Sequence, residues 1–143
     1  MTELHIAGGV ALVLANATAG IWGGIAWLRD IPSVGFWYAL RVAQVTVVVQ
    51  VMIGLILVFL GKVAVDLHYV YGGLPLLVSF LAEGARAGAA QQELGELEIE
   101  SMPEERQREI ALAILRREMG MMAVACLVIF FLALRAAELS PIV

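Results

Sequence analysis

The stretch VAQVTVVVQVMIGLILVFLG, residues 42–61, carries no charged side chain between Arg41 and Lys62. Wound as a helix at about 1.5 Å per residue, its 20 residues cover the ~30 Å hydrocarbon core of a bilayer. Three more charge-free stretches accompany it: 25 residues between Glu3 and Arg29, 16 between Asp66 and Glu83, and 16 between Glu118 and Arg135. The two shorter ones can still span, because flanking charged side chains snorkel outward. Composition agrees. Of 143 residues, 62% are hydrophobic and 15% charged, where soluble domains run at about 45–50% and about 25%. The sequence therefore predicts an all-α integral membrane four-helix bundle, running up-down-up-down. It is a single membrane domain over 1–143, with spans at about 4–28, 38–60, 66–84 and 118–137. One cysteine excludes a disulfide scaffold, and a net charge of −4 argues against a nucleic-acid partner.

The residues before the first span, Met1-Thr2-Glu3-Leu4-His5, include no Lys or Arg, and apolar residues continue past Ala17-Thr18-Ala19 to Trp27. A secretory signal opens on basic residues, so this span reads as a retained helix. Orientation follows from the basic residues. With the N-terminus outside, the inner side receives Arg29, Arg41, Arg86, Arg106, Arg108, Arg116 and Arg117, and the outer side only Lys62 and Arg135. That asymmetry predicts a multi-pass protein of the cell membrane with both termini outside. Trp22, Trp27, Phe36, Trp37 and Tyr38 then fall at inner span ends and Tyr69 and Tyr71 at an outer one, where amphipathic rings settle.

Asp30-Ile31-Pro32-Ser33 and Gly61–Val65 read as short turns, Pro32 being unable to continue a helix. Residues 85–117 are too many for a turn. Ser101-Met102-Pro103-Glu104 resembles a helix start, with Ser101 as cap and Glu104 as its reciprocal partner. The connector is thus expected to be a cytoplasmic helical hairpin whose arms prolong spans three and four. Its acids, Glu93, Glu96, Glu98, Glu100, Glu104, Glu105 and Glu109, make it a solvated linker or a docking arm for a membrane-complex partner.

Spans one and three share an opening: Leu4-His5-Ile6-Ala7-Gly8-Gly9 and Leu67-His68-Tyr69-Val70-Tyr71-Gly72-Gly73. Eleven residues after each histidine comes a polar side chain, Asn16 or Ser79. Eleven residues make about three helical turns, so each pair shares a face. The chain's two histidines then lie at one depth near the outer surface, on helices one and three, which are diagonal in such a bundle. A diagonal of about 11–14 Å lets two imidazoles close on one iron. Gly8, Gly9, Gly72 and Gly73 leave room for a flat macrocycle, and Lys62 and Arg135 lie level with its propionates. His5 and His68 are therefore candidate metal ligands of a haem b, with Gly9, Gly72, Lys62 and Arg135 as its cradle. Other readings of the same residues stand beside this one. Histidine is ordinary at a bilayer interface, and Glu3 and Asp66 extend the pair to a divalent-metal set or a proton relay.

The glycines also serve helix packing: Ala11, Ala15, Ala19 and Gly23 repeat every four residues, and Gly20 with Gly24 makes a GxxxG pair. Intramembrane polar residues (Asn16, Thr18, Gln44, Thr46, Gln50, Ser79, Glu83) are expected to face inward as interhelical glue. Glu83 has Arg86 one turn away and Arg41 on the adjacent span as partners. Cys126, mid-span, reads as a small apolar residue. No Walker loop, HExxH, CxxC or serine-nucleophile pattern is present, so nothing points to a hydrolase.

Gln50-Val51-Met52-Ile53-Gly54 followed by Leu67-His68-Tyr69-Val70-Tyr71-Gly72 resembles the Gln-x3-Gly span and the histidine-bearing span of four-helix membrane b-type cytochromes, in particular one half of haem A synthase. The resemblance covers about 25 residues closely and the four-span layout loosely. It implies His68, and His5 with it, as axial haem ligands, and electron transfer near the outer face. The Glu-x-x-His-Arg motif and external cysteine pair of that family are absent, so haem hydroxylation is not implied. The chain also resembles small four-span bacterial membrane proteins. Three functions are thus open: a bis-histidine b-type cytochrome or haem-handling protein, a non-catalytic accessory subunit, and half of a channel or carrier completed by homo-oligomerisation.

Overall fold

A computed structural model describes residues 2–95 and 102–139. These residues form four α-helices: α1 (Thr2–Leu28), α2 (Val34–Phe59), α3 (Asp66–Leu94) and α4 (Glu104–Glu138). α1 and α2 end in the same way. Asp30 N bonds to Trp27 O and Ile31 N to Ala26 O; Gly61 N bonds to Val58 O and Lys62 N to Leu57 O. Both are Schellman closures, which need a left-handed residue just past the helix. Asp30 supplies φ 55° and Gly61 φ 77°, and these residue types tolerate that region best. Ser33 then caps α2, its hydroxyl accepting from Phe36 N at 3.2 Å.

α4 starts later than the capping pattern predicts. Pro103 holds the cap position, with ψ 144°, and its carbonyl accepts from Arg106 and Gln107 N. The residue before a proline is kept out of helical conformation, so Met102 cannot open the helix and Glu104 becomes its first residue. Ser101 lies outside the described residues, as do Glu96, Glu98 and Glu100. On either side of them the helix of α3 runs on to Leu94 and that of α4 begins at Glu104.

α1 packs against α2 on one side and α4 on the other, α3 packs against α4, and α2 meets α3 only sparsely. Small residues set the α1–α4 approach. A Cβ on Gly20 would fall 2.7 Å from Leu127 Cδ2, one on Gly120 would fall 2.6 Å from the Trp27 indole, and one on Gly23 would strike Phe36. Gly24 meets nothing within 4 Å, so only the Gly20 half of the GxxxG pair is used inside the chain. The core between these helices is built on Ala19, Phe36, Leu40, Met122, Ala123 and Cys126, with Leu12, Val47 and Ile129 beyond it. Outward, Ile6, Val10, Leu14, Val45, Val49 and Phe131 are exposed, an apolar exterior over a small-residue interior.

Among the described residues, α1, α2 and α4 are long and apolar enough to cross a membrane. α3 has 29 residues but falls short of that apolarity, so the structure supports three of the four expected spans on this criterion. Asp66, His68, Tyr69, Tyr71, Pro75 and Glu83 dilute it. Pro75, buried within α3, also removes the amide that would bond to the Tyr71 carbonyl.

Candidate functional site

His5 lies in the first turn of α1 and His68 in the first turn of α3. Their ring centroids are 6.0 Å apart, with the planes at 63°. Each ring is held by a helix that does not carry it. His68 Nδ1 lies 2.9 Å from Ala136 O near the end of α4. A carbonyl only accepts, so Nδ1 carries the hydrogen, and in the neutral ring Nε2 carries the lone pair. Gln50 of α2 holds His5: its Nε2 donates to His5 O at 2.9 Å and lies 3.2 Å from His5 Nδ1 and 3.4 Å from His5 Nε2.

The glycines around the pair have unequal surroundings. A Cβ on Gly8 would collide with Gln50 Oε1, and one on Gly9 would stand 3.3 Å from Gln50 Nε2. These two accommodate the Gln50 amide. Gly54, one turn along α2, lets His5 Cε1 approach to 3.4 Å of where its Cβ would be. On α3, Gly72 and Gly73 have nothing within 4 Å of a Cβ. Lys62 is exposed in the α2–α3 turn, and Arg135 pairs with Glu138 on its own helix at 2.7 Å. Among the described residues no group of three or more His, Cys, Asp or Glu side chains is placed to hold a metal ion, so Glu3 and Asp66 do not complete a set with the histidines.

No family model, curated protein or solved structure matches this chain.

A second polar cluster joins α2, α3 and α4 at the opposite end. Arg41 Nη1 donates to Glu83 Oε1 and to Gln44 Oε1, both at 2.6 Å, and Gln44 Nε2 donates to Glu83 Oε1 at 2.7 Å. Arg86 Nε donates to Glu83 Oε2 at 2.9 Å, and Arg86 Nη1 lies 3.3 Å from the buried Glu118 carboxylate. Burial works against the Arg86 charge, but hydrogen bonds and attraction from Glu83 and Glu118 outweigh it and push its pKa above the ordinary arginine range. The guanidinium also stands 5.9 Å from the Trp37 ring centroid. Both Glu83 pairings expected from spacing are present. Glu118 joins them unforeseen, because its reach to α3 depends on how α4 is turned.

Between α2 and α3 this cluster borders a groove of about 170 Å³ lined by Gln44, Val48, Leu76, Ser79, Phe80 and Glu83. The two polar partners of the repeat therefore diverge. Ser79 lines the groove, whereas Asn16 is buried and donates to Leu12 O of its own helix at 2.9 Å. Sequence reasoning named Gln50 as interhelical glue and as part of the Gln-x3-Gly resemblance, but missed it as the partner of His5. Its four-residue spacing from Gly54 was the available signal.

Proposed function

We propose that the chain is a cell-membrane protein of four spans, running up-down-up-down with both termini outside. In this reading it holds a b-type haem between His5 and His68, for electron transfer or haem handling near the outer face. One observation carries the proposal: the two histidines, far apart in sequence and on helices that barely touch each other, stand with ring centroids 6.0 Å apart. Two imidazoles that would hold one metal ion between them need ring centroids about 6 Å apart, namely two metal–nitrogen bonds of about 2 Å plus two ring half-widths. The His68 Nδ1–H on a backbone carbonyl is the support a ligating histidine usually has, and it would make Nε2 the ligating nitrogen. Gly72 and Gly73 leave open space beside His68. Beside His5 the space holds the Gln50 side chain, which must rotate aside.

A bound haem supplies a reversible one-electron iron couple. The residues of this chain do the rest. His5 and His68 would hold the group, the Ala136 carbonyl fixes the His68 ring, and Lys62 and Arg135 would supply cations for its carboxylates. A low-spin visible spectrum of the purified protein tests the reading. On expression with adequate haem, about one haem per chain is expected, with a Soret band that sharpens and shifts on reduction. His68→Ala and His5→Ala should each abolish or severely weaken it. A wild-type protein that stays colourless after haem reconstitution overturns the reading.

The sparse α2–α3 contact favours a second reading. Its groove offers Val48, Leu76 and Phe80 as a shallow surface for side chains of a partner's helix, as an accessory subunit or a homo-oligomer would need. Copurification in mild detergent of a stoichiometric membrane partner, from cells whose protein lacks haem, would favour that reading over the first.

A further inference from the structure

We propose that the groove between α2 and α3 holds one glycerophospholipid, its phosphate on Arg41 and one acyl chain between Val48 and Phe80. Arg41 points there first. Its Nη1 donates to Gln44 Oε1 and to Glu83 Oε1, both at 2.6 Å. These bonds fix the guanidinium and leave its other edge, Nε with Nη2, donating to no group among the described residues. The side chain is 55% exposed, so a ligand can reach it. A guanidinium edge with two parallel N–H groups fits a phosphate, which accepts from both at once. Glu83 is no competitor for that edge. Its Oε1 is taken by Arg41 Nη1 and Gln44, and its Oε2 by Arg86.

The walls beside Arg41 continue the match. Arg41 borders a hollow with Gln44 and Val48, and these two also line the α2–α3 groove with Leu76, Ser79 and Phe80. The shared residues make one surface of the two hollows, charged at one end and apolar beyond. Ser79 lies one turn of α3 before Glu83, about 6 Å further from the Arg41 end. Its hydroxyl has no hydrogen-bond partner among the described residues. The polar region of one leaflet is about 5–7 Å thick. A phosphate at Arg41 therefore brings the ester groups of the same lipid to the depth of Ser79. Cation, hydroxyl and apolar wall follow one another in the order of phosphate, ester and acyl chain. A partner's helix would fit the apolar part equally well, but it would have to carry its own acid to this depth for Arg41. Every glycerophospholipid brings one.

The site rests on the membrane reading of the chain and needs no haem. Tritiated dioleoyl-phosphatidylglycerol is bound to the detergent-solubilised protein in a scintillation proximity assay, with unlabelled dioleoylglycerol as the phosphate-free competitor. Saturable binding of a single lipid per chain is expected. Dioleoylglycerol should compete about ten-fold more weakly than unlabelled phospholipid, because it offers nothing to the guanidinium. Arg41→Gln should remove that preference. Ser79→Ala should weaken both lipids by about five-fold, the factor of one ordinary hydrogen bond. Val48→Trp, which fills the groove, should abolish binding of both. The last two variants touch no ion pair, so they decide the matter even where Arg41→Gln does not fold. Equal binding in all four proteins indicates bulk lipid around the helices and overturns the site, as does equal competition by dioleoylglycerol. A dimer that Val48→Trp dissociates while lipid binding is unchanged gives the groove to a second copy, and overturns it too. A protein soluble without detergent ends the membrane reading and the site together. One that needs detergent but binds no lipid saturably ends the site alone.

Discussion

Replacing Gly23 by alanine adds one methyl group where three helices meet. The new Cβ would overlap the Phe36 ring of α2, with Cδ2 at 2.6 Å, and stand 3.0 Å from Ala123 Cβ of α4. Carbon atoms pack at about 3.5–4.0 Å, so α1 must move out by about 1 Å or the ring must turn. Phe36 is fully buried and its amide is tied to Ser33, which leaves the ring little freedom. Overpacking of this kind costs about 1–3 kcal/mol. Gly24 is the internal control. Its Cβ meets nothing within 4 Å, so alanine there should add only the helix-propensity gain of up to about 1 kcal/mol. The same gain applies at Gly23 and cancels between the two variants. Gly23→Ala should therefore be less stable than Gly24→Ala by about 1–3 kcal/mol. Unfolding of the detergent-solubilised protein by SDS titration, followed by circular dichroism, measures the difference. Equal stability of the two variants would refute the helix rotation that puts Gly23 inward and Gly24 outward.

Arg86→Met should destabilise by about 1–3 kcal/mol in the same assay, because it deprives the buried Glu118 carboxylate of its Arg86 partner while Glu83 keeps Arg41 and Gln44. Adding Glu118→Leu should recover most of the loss; a double variant as unstable as the two single losses summed would show that the residues act independently. For orientation, Lys62→Cys should be labelled by an impermeant maleimide in intact cells and Gln107→Cys should not. The native Cys126 is buried and gives little background. Labelling of the Gln107 variant would reverse the topology and move both histidines to the inner side.

The pairing of the two histidines can be anticipated from sequence only as far as helix periodicity carries. Equal spacing after Glu3 and Asp66 puts His5 and His68 in the first turns of α1 and α3, and the observed rings do stand side by side. Spacing also foresaw Glu83 with Arg41 and Arg86, since both need only the ordinary helical turn and a neighbouring span. It did not foresee Gln50 beside His5, and it gave Gly8 and Gly9 to a macrocycle where the structure gives them to the Gln50 side chain.

Local chemistry accounts for what the sequence by itself determined. Charge-free stretches mark the helices, Pro32 and Ser33 separate the first two, and Asp30 and Gly61 sit where left-handed residues must close α1 and α2. Each of these depends on bonds within a few residues of the chain. The tertiary structure alone decided how each helix is rotated about its axis. Rotation turned Gly20 and Gly23 inward and Gly24 outward, brought Glu118 to Arg86, set the Ala136 carbonyl on His68, and left α2 and α3 apart. In helices that are apolar nearly all round, no hydrophobic stripe selects the buried face. The choice falls to many small van der Waals contacts summed across three neighbouring helices, a quantity that no single stretch of sequence contains.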